Sequence, residues 1–205
     1  PYSLKALGDY IDTGGINRFI FHRYAHQPWS DRLPGMTMGP HGFHFERTLT
    51  WWEQAPAWTA YLRRCQYLLQ EGQFVADLCY FVGDDAPSGL PSRESLRPVP
   101  PEGYDYDGCD PEILRRFQVR DGRLVLPHGM RYRVLILPNQ RTMLPGTLEQ
   151  VARLVRAGAT VVGPKPEQSP SLADFPACDR RVRALAAQIW GDCDGETVTE
   201  HAAGR

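Results

Sequence analysis

The predicted fold turns on one stretch near the start of the chain, Gly15-Ile-Asn-Arg-Phe-Ile-Phe-His-Arg-Tyr-Ala-His-Gln-Pro-Trp29. Its first half, residues 16–22, is rich in apolar side chains and predicts a buried strand. Before it, apolar residues recur at helical spacing from Leu4 to Ile11, and Gly14-Gly15 is placed to end a helix. A helix followed by a buried strand is the repeating step of an α/β fold.

A long loop follows the predicted strand. Prolines and glycines are frequent over residues 28–42, among aromatic and histidine side chains. Loops of this length inside a compact domain are usually functional. From about Trp51 to Gln70 the apolar positions return to helical spacing, and Gly72 is placed to end that helix. The first part of the chain is therefore predicted as helix, strand, long loop and helix.

From Gln73 onward the pattern predicts a parallel sheet. A strand, a helix and a second strand follow one another over roughly 30 residues near 132–162, which indicates a βαβ unit and a flavodoxin-like sheet. Asp110 before Pro111 predicts the start of a short helix, and Asp121-Gly122 predicts the turn of a hairpin. The other elements predicted here are a strand over 74–82, a surface connection over 84–103 and a final helix over 179–190.

The composition excludes some classes of partner. With 23 basic and 24 acidic side chains and a formal net charge of −1, the chain carries no general signal for binding nucleic acid. Its longest apolar runs are too short to cross a bilayer, so no membrane partner is expected. The five cysteines lack a C-x-x-C pair and indicate neither a disulfide framework nor a zinc site.

Both ends of the chain suggest truncation. It begins at Pro1 rather than at a methionine, and residues 200–205 stop without a closing element. We therefore expect a piece of a longer protein. Its compartment stays undetermined, and secretion or a periplasmic location would suit the parent protein.

The segment after the predicted strand carries side chains that suit a sugar. In a (β/α) barrel, residues at the carboxyl end of a strand face the active site, which would place His22, His26, Gln27 and Trp29 in the pocket. Histidine and glutamine supply donors and acceptors for hydroxyl groups, and an aromatic ring packs on the apolar face of a pyranose. The alternative is an ordinary polar loop whose histidines cap backbone groups.

A zinc site is the weaker interpretation of the histidines. His22 and His26 are four residues apart, and His41 and His44 are three apart. His-x-x-x-His binds zinc well on a helix, but here the first histidine ends a strand and no Glu completes an H-E-x-x-H pattern. No metal ligand is placed.

A second dense segment runs from His44 to Gln54. Glu46 or Glu53 could belong to the carboxylate pair of a glycosidase, in which one carboxyl protonates the leaving oxygen and the other activates water or attacks the sugar. Alternatively, Thr50 and Glu53 could form a capping box at the start of the helix. Arg47 could hold a carboxylate in its charged form or bind a hydroxyl. Trp51 and Trp52 could form a platform on which the sugar stacks, or they could pack in the core.

The segment Leu137-Pro-Asn-Gln-Arg-Thr-Met143 follows a strand where α/β sheets often bind ligands. The chain contains no G-x-G-x-x-G, Walker lysine motif or nucleophile elbow there. A structural, non-catalytic second domain is the better prediction.

Taken in order, several strings resemble glycoside hydrolase family 106, the α-L-rhamnosidases, and they cover nearly the whole chain. In the first part they are the opening stretch 15–29, Pro34-Gly-Met-Thr-Met-Gly-Pro40, His44-Phe-Glu-Arg-Thr-Leu-Thr-Trp-Trp52 and Tyr61-Leu-Arg-Arg-Cys-Gln-Tyr-Leu-Leu-Gln70. In the second part they are Phe74-Val-Ala-Asp77, Tyr104-Asp-Tyr-Asp107 and Tyr132-Arg-Val-Leu-Ile-Leu-Pro-Asn139.

The resemblance implies a multidomain enzyme whose (β/α)8 barrel hydrolyses terminal α-L-rhamnosyl linkages with inversion, using two glutamates and a calcium ion in the sugar site. Residues 1–72 would be the last strand-loop-helix units of that barrel. Residues 73–205 would be an incomplete flavodoxin-like domain of the class I glutamine-amidotransferase type. The expected partner is a rhamnose-containing glycan or glycoside.

The resemblance places seven candidate substrate-binding residues on family strings, and the chain by itself is expected to be inactive. The catalytic candidates are Glu46 and Glu53, although the acid and base could also lie before Pro1. Another barrel glycosidase of β-galactosidase or β-glucuronidase type, or a non-catalytic carbohydrate-binding relative, is the alternative. The seven are His22, His26, Gln27, Trp29, Arg47, Trp51 and Trp52.

Overall fold

A computed structural model describes residues 2–33, 35–37 and 39–203. The chain divides into two units, Pro1–Gln73 and Phe74–Arg205, called unit 1 and unit 2 below. Over the described ranges, no helix combines the length and apolarity that crossing a bilayer requires.

Unit 1 contains two helices, α1 (Tyr2–Thr13) and α2 (Ala55–Glu71). The predicted end of α1 is confirmed, because the Gly14 amide donates to the Ile11 carbonyl at 3.0 Å. Polar contacts join the two helices. The Tyr61 hydroxyl on α2 donates to Asp9 Oδ1 at 2.6 Å, and Lys5 Nζ donates to that hydroxyl at 3.1 Å. Lys5 Nζ also donates to Asp9 Oδ2 at 2.5 Å, and this hydrogen bond, followed by the one from Tyr61, lowers the pKa of Asp9.

The strand predicted over residues 16–22 is wrong. The backbone there bonds to side chains of α2 instead of to a neighbouring strand. The Phe19 amide donates to Gln66 Oε1 at 3.0 Å, and Gln70 Nε2 donates to the Asn17 carbonyl at 2.8 Å. A strand is defined by pairing with another strand, and these side-chain bonds hold the segment against α2 without one.

The capping box predicted for Thr50 and Glu53 is also wrong. A single 3-10 turn, Trp52–Gln54, precedes α2, and neither the turn nor the helix begins with a side-chain cap. Pro56 occupies the first turn of α2, where its missing N–H would have no intrahelical acceptor in any case. The helix therefore starts four residues later than the predicted start at about Trp51.

Unit 2 contains seven strands and three helices. The parallel sheet has the order β2-β1-β6-β7, and a separate antiparallel sheet has the order β3-β4-β5. The strands are β1 (Leu78–Phe81), β2 (Tyr106–Cys109), β3 (Gln118–Arg120), β4 (Arg123–Val125), β5 (Arg131–Tyr132), β6 (Val134–Ile136) and β7 (Thr160–Val162). The helices are α3 (Pro111–Arg116), α4 (Pro145–Arg156) and α5 (Ala177–Trp190).

Local signals located most of these elements. The hairpin turn is confirmed, with positive φ of 51° at Asp121 and 71° at Gly122, as a tight turn between antiparallel strands requires. The helix start at Asp110 is confirmed as well, because its Oδ1 accepts from the Ile113 amide at 2.8 Å. Strand β2 was not predicted, since its four residues follow a Pro/Gly/Ser-rich connection and include an aspartate and a glycine.

The strand predicted over 132–137 is divided between the two sheets at Arg133. Its amide donates to the Asp77 carbonyl at 2.7 Å, and its Nε lies 2.7 Å from Asp77 Oδ1. Residues before this junction pair with β4, and residues after it pair with β1 and β7. Arg133 is therefore the one-residue connection between β5 in the antiparallel sheet and β6 in the parallel sheet.

The parallel sheet is covered on both faces by apolar side chains. Cys79 and Phe81 of β1 and Leu135 of β6 pack in the main core with α4 and α5. The alternate residues, Tyr80 and Ile136, pack on the opposite side with Leu96. This alternation follows from the two-residue period of a strand and explains why both faces of the sheet are buried.

The loop after β1 is tied to the start of α4. Asp84 Oδ2 accepts from the Leu144 amide at 2.9 Å, and Asp84 Oδ1 accepts from the Thr147 hydroxyl at 2.5 Å. A carboxylate at this position satisfies a donor that the helix leaves free and complements its dipole. The carboxyl ends of β1 and β6 are thereby held together.

A buried phenol gives unit 2 a pH dependence. The Tyr132 hydroxyl donates to Asp107 Oδ2 at 2.7 Å, and burial, followed by this hydrogen bond, raises the pKa of Tyr132. Because the folded pKa lies above the unfolded value of about 10, the contribution to stability is present below that pH and is lost as the pH rises above it.

We therefore predict that Tyr132→Phe lowers the free energy of unfolding by about 1 kcal/mol at pH 7, since Asp107 loses a buried donor. Above pH 10, the loss of stability with rising pH should be less steep in the variant than in the wild type. Urea unfolding of the full-length protein, followed by circular dichroism from pH 7 to pH 12, measures both effects. Parallel curves for the two proteins would contradict the assignment.

Candidate functional site

An aromatic cluster forms the centre of unit 1. Phe45 contacts most of it, with ring centroids 5.1 Å from Trp52 and 5.8 Å from both Phe21 and Trp51. Trp51 also lies edge-on to Trp58 at 5.6 Å. Trp51 and Trp52 are partly buried in this cluster, so packing is one of their roles, and sugar stacking by either ring stays a prediction. The cluster consists of Phe21, Tyr24, Phe43, Phe45, Trp51, Trp52 and Trp58.

A short parallel contact joins the two ends of the long loop. Tyr24 and Phe45 form an isolated parallel bridge. The Arg23 amide donates to the Phe43 carbonyl at 3.3 Å, and the Phe45 amide donates to the Arg23 carbonyl at 3.1 Å. In this register Arg23 stands beside His44, one position before the bridge.

The first candidate acid, Glu46, is buried with 2% of its surface exposed. Its Oε2 accepts from the Thr48 amide at 2.8 Å, and its Oε1 accepts from the Thr48 hydroxyl. The second candidate, Glu53, is exposed in the turn before α2, and Arg47 is exposed as well. The structure therefore gives the two glutamates different surroundings, one enclosed and hydrogen-bonded and the other open to solvent.

The segment after residue 25 is held by its own side chains. Gln27 is only 5% exposed, and its Nε2 donates to the Arg32 carbonyl at 2.9 Å. The Met36 amide donates to the His26 carbonyl at 2.8 Å, which closes the loop. Trp29 is 52% exposed, with the Arg32 guanidinium 5.7 Å from the centre of its ring.

The predicted sugar-binding residues thus fall into two groups. His22, His26, Trp29 and Arg47 present exposed side chains. Gln27 is buried, and Trp51 and Trp52 are partly buried. A ligand would meet the first group directly.

Sequence reasoning missed one feature of this region, a group of buried polar atoms with no hydrogen-bond partner among the described residues. They include all three side-chain nitrogens of Arg23, together with His44 Nε2 and Trp58 Nε1. The sequence held one signal for this feature, the charged residue Arg23 between the aromatic residues Phe21 and Tyr24. A charge among apolar side chains is uncommon because it is rarely buried without a partner.

The calcium ion that the family resemblance implies does not fit the residues present here. Over residues 2–33, 35–37 and 39–203, no three His, Cys, Asp or Glu side chains come together in a group that could hold a metal ion. Calcium prefers six to eight oxygen ligands, mostly carboxylates and carbonyls. Nothing in the chemistry below is derived through it.

Unit 2 has a cavity, and one of its buried thiols, Cys79, is not an activated nucleophile. The cavity, about 840 Å³, lies among the starts of α3, α4 and α5, and its rim carries the ion pair of Arg181 with Glu149. The Cys79 thiol hydrogen-bonds to Cys109, and this contact, with burial, raises the pKa of Cys79. A buried thiol that stays protonated is a poor nucleophile.

Comparison with known proteins gives three results. A sequence model of the family described as alpha-L-rhamnosidase matches residues 1–205. A protein of Formosa agariphila named "Putative beta-glucuronidase" is 41% identical over 194 residues, which are 93% of this chain and 16% of that protein. The solved structure of a rhamnosidase from Novosphingobium sp. PP1Y matches with a TM-score of 0.74 and 32% identity, covering 93% of this chain and 18% of that one. The chain therefore spans less than a fifth of either relative.

The long loop offers a test of the contact between Gly35 and Gln27. A Cβ at Gly35 would lie 1.9 Å from Gln27 Oε1 and 2.9 Å from the His26 carbonyl, whereas a Cβ at Gly39 would meet nothing within 4 Å. Both glycines have positive φ, of 85° and 83°. An alanine at either position therefore has the same cost from its left-handed backbone conformation. Only Gly35→Ala also places a Cβ against neighbouring atoms.

We predict that Gly35→Ala opens the loop and that Gly39→Ala has a smaller effect. The loop should be cut at least about tenfold faster in Gly35→Ala than in Gly39→Ala, as expected for roughly 1.4 kcal/mol of additional local opening. Limited proteolysis of the full-length protein, with the cut site identified by mass spectrometry, measures this difference. Equal cutting rates in the two variants would show that the loop does not depend on the contact with Gln27.

Proposed function

The chain belongs to glycoside hydrolase family 106, the α-L-rhamnosidase family, and from this membership we propose that the whole protein hydrolyses terminal α-L-rhamnosyl linkages with inversion. The observation that carries the proposal is the match of the family model to residues 1–205. The likeness to a solved rhamnosidase at 32% identity supports it. The substrate is then a rhamnose-containing glycan or glycoside.

We assign unit 1 to the barrel of this enzyme. Residues 1–72 would supply the last part of that barrel, and the large apolar side chains that unit 1 leaves exposed suit packing against further parts of a barrel. Examples are Tyr10 on α1 and Ile20, which are 75% and 90% exposed. Residues 73–205 would form the incomplete amidotransferase-like domain, and the parallel order of its main sheet supports an α/β domain of that kind.

The sugar would lie against the exposed group of unit 1. Trp29 offers an aromatic face for the apolar side of a pyranose, and His22 and His26 offer donors and acceptors for its hydroxyls. Arg47 would add a charged donor. Gln27 would act indirectly, because its amide holds the Arg32 carbonyl and thereby fixes the segment next to Trp29.

Catalysis by inversion requires one carboxylic acid to protonate the leaving oxygen and one carboxylate to activate water on the opposite face of the sugar. Glu46 is the stronger candidate in this chain for one of these roles, since its carboxyl group is held in place by Thr48. Glu53 is the second candidate. The other acid, and the ligands of a calcium ion in the sugar site, would come from the rest of the enzyme.

One comparison favours a second candidate function. The Formosa agariphila relative carries the name of a β-glucuronidase, and it is more similar in sequence to this chain, at 41% identity, than the solved rhamnosidase is at 32%. A β-glucuronidase would use the same class of carboxylate chemistry on a sugar that itself carries a carboxylate. The two functions differ in substrate and not in fold.

The assay that separates them uses the full-length protein. We expect turnover of an aryl α-L-rhamnoside, with the first-formed sugar of inverted configuration, because the family model covers all of the chain. Hydrolysis rates on the aryl α-L-rhamnoside, β-D-glucuronide and β-D-galactoside, with the product anomer followed by NMR, provide the measurement. Turnover of only the latter two would refute the rhamnosidase assignment and leave the glycosidase class intact.

The role of the glutamates is tested by Glu46→Gln and Glu53→Gln. We expect Glu46→Gln to lower kcat by about 100-fold or more with little change in KM, as for loss of a proton-transferring carboxyl. The amide oxygen of the glutamine can still accept from Thr48, so the turn is kept. Glu53→Gln tests the second candidate, on the exposed side of the same segment. A large loss of kcat in the Glu53 variant alone would assign the role to Glu53, and full activity in both variants would place both catalytic groups elsewhere.

A further inference from the structure

One charged side chain in unit 1 is buried without a counter-charge. The Nε, Nη1 and Nη2 atoms of Arg23 are all inaccessible to solvent, and none has a hydrogen-bond partner within the part of the chain that the structure describes. A guanidinium always carries its charge and offers five N–H donors. Enclosing it with no acceptor is strongly unfavourable, so the residue is poised to accept a negatively charged partner.

A second buried nitrogen without a partner belongs to the neighbouring residue of the parallel register. His44 Nε2 is also buried and without a partner. The parallel register places Arg23 next to His44. The carboxylate of Glu46 lies two residues further along this strand-like segment, but its two oxygens accept from Thr48. Arg23 makes no ion pair with any described acidic residue, and its partner must therefore come from elsewhere.

The geometry points to a carboxylate as that partner. A planar guanidinium binds the two oxygens of a carboxylate through two parallel hydrogen bonds, and an imidazole N–H beside it can donate a third. We propose that Arg23 and His44 form a carboxylate-binding site of the whole protein. This inference rests on the proposed function, because it places the site next to the sugar-contacting segment that begins at His22.

The enclosed position of the guanidinium does not prevent binding. An arginine side chain has several rotatable bonds, and Arg23 keeps part of its surface exposed. The enclosed guanidinium has no acceptors for its N–H groups among the described residues. If the side chain rotates toward a carboxylate, these groups gain hydrogen bonds that they lack in the enclosed position.

Two sources can supply the carboxylate, and they share the same chemistry. One is the uronic acid group of a substrate, which would make Arg23 a specificity residue for acidic sugars. The other is an acidic side chain of the protein beyond these 205 residues, which would make Arg23 a positioning residue. In the second case the positive charge would lower the pKa of that acid.

The experiment compares the full-length wild type with Arg23→Met, Arg23→Lys and the control Arg64→Met, which removes an exposed arginine from α2. Sodium D-glucuronate and its methyl ester are titrated calorimetrically. Thermal melting and the pH profile of kcat on whichever aryl glycoside is turned over are also measured. Arg23→Lys keeps the charge but not the two-fold hydrogen bond, which separates charge from geometry.

If the substrate supplies the carboxylate, glucuronate should bind the wild type at least about tenfold more tightly than the ester. Arg23→Met should remove that preference. If the protein supplies it, Arg23→Met should move the acidic limb of the pH profile to higher pH, and Arg23→Lys should restore it. The proposal is overturned if Arg23→Met matches Arg64→Met in titration, melting temperature and pH profile.

Failure of the proposed function can be recognised separately. A wild type that turns over none of the aryl glycosides would refute the proposed function, and the titration and melting curves would still report on the carboxylate site. An active wild type whose Arg23→Met variant behaves like the control would refute the carboxylate site alone.

Discussion

Unit 1 is organised by the pairing of two segments that are about 20 residues apart in sequence. The backbone bonds that link Arg23 to Phe43 and Phe45 close the long loop at its base. Without these bonds, few contacts would compensate the conformational entropy that the loop loses when it becomes ordered. The aromatic cluster on one side of this pairing supplies the apolar contacts that hold it. The candidate sugar-binding residues and the buried arginine are positioned by the same pairing.

This arrangement explains why exposed and enclosed polar groups occur so close together. Residues such as Trp29 lie beyond the paired base and reach solvent. Arg23 and Glu46 lie at the base itself, beside the cluster, and are enclosed. Glu46 finds its donors locally, from Thr48, whereas Arg23 does not find an acceptor in the described ranges. The difference follows from the local sequence. Thr48, two residues after Glu46, donates hydrogen bonds to its carboxylate, whereas no described residue near Arg23 accepts from its guanidinium.

The sequence predicted what depends on neighbouring residues and missed what depends on distant ones. The cap at Asp110 and the turn at Asp121 are local, and both are confirmed. Strand β2 depends on pairing with β1, and the failed strand over 16–22 depends on side chains of α2, so neither outcome could be read from a local pattern. For the candidate site, the family strings did not reveal that Gln27 is buried or that Arg23 is left without a partner among the described residues.

The junction at Arg133 places a limit on how the chain length can vary. Because one residue separates β5 from β6, an insertion or deletion there would move β6 by one position relative to β1. Every side chain of β6 would then change faces, bringing Leu135 out of the helix-covered core and Ile136 into it. The link between the two sheets therefore has a fixed length.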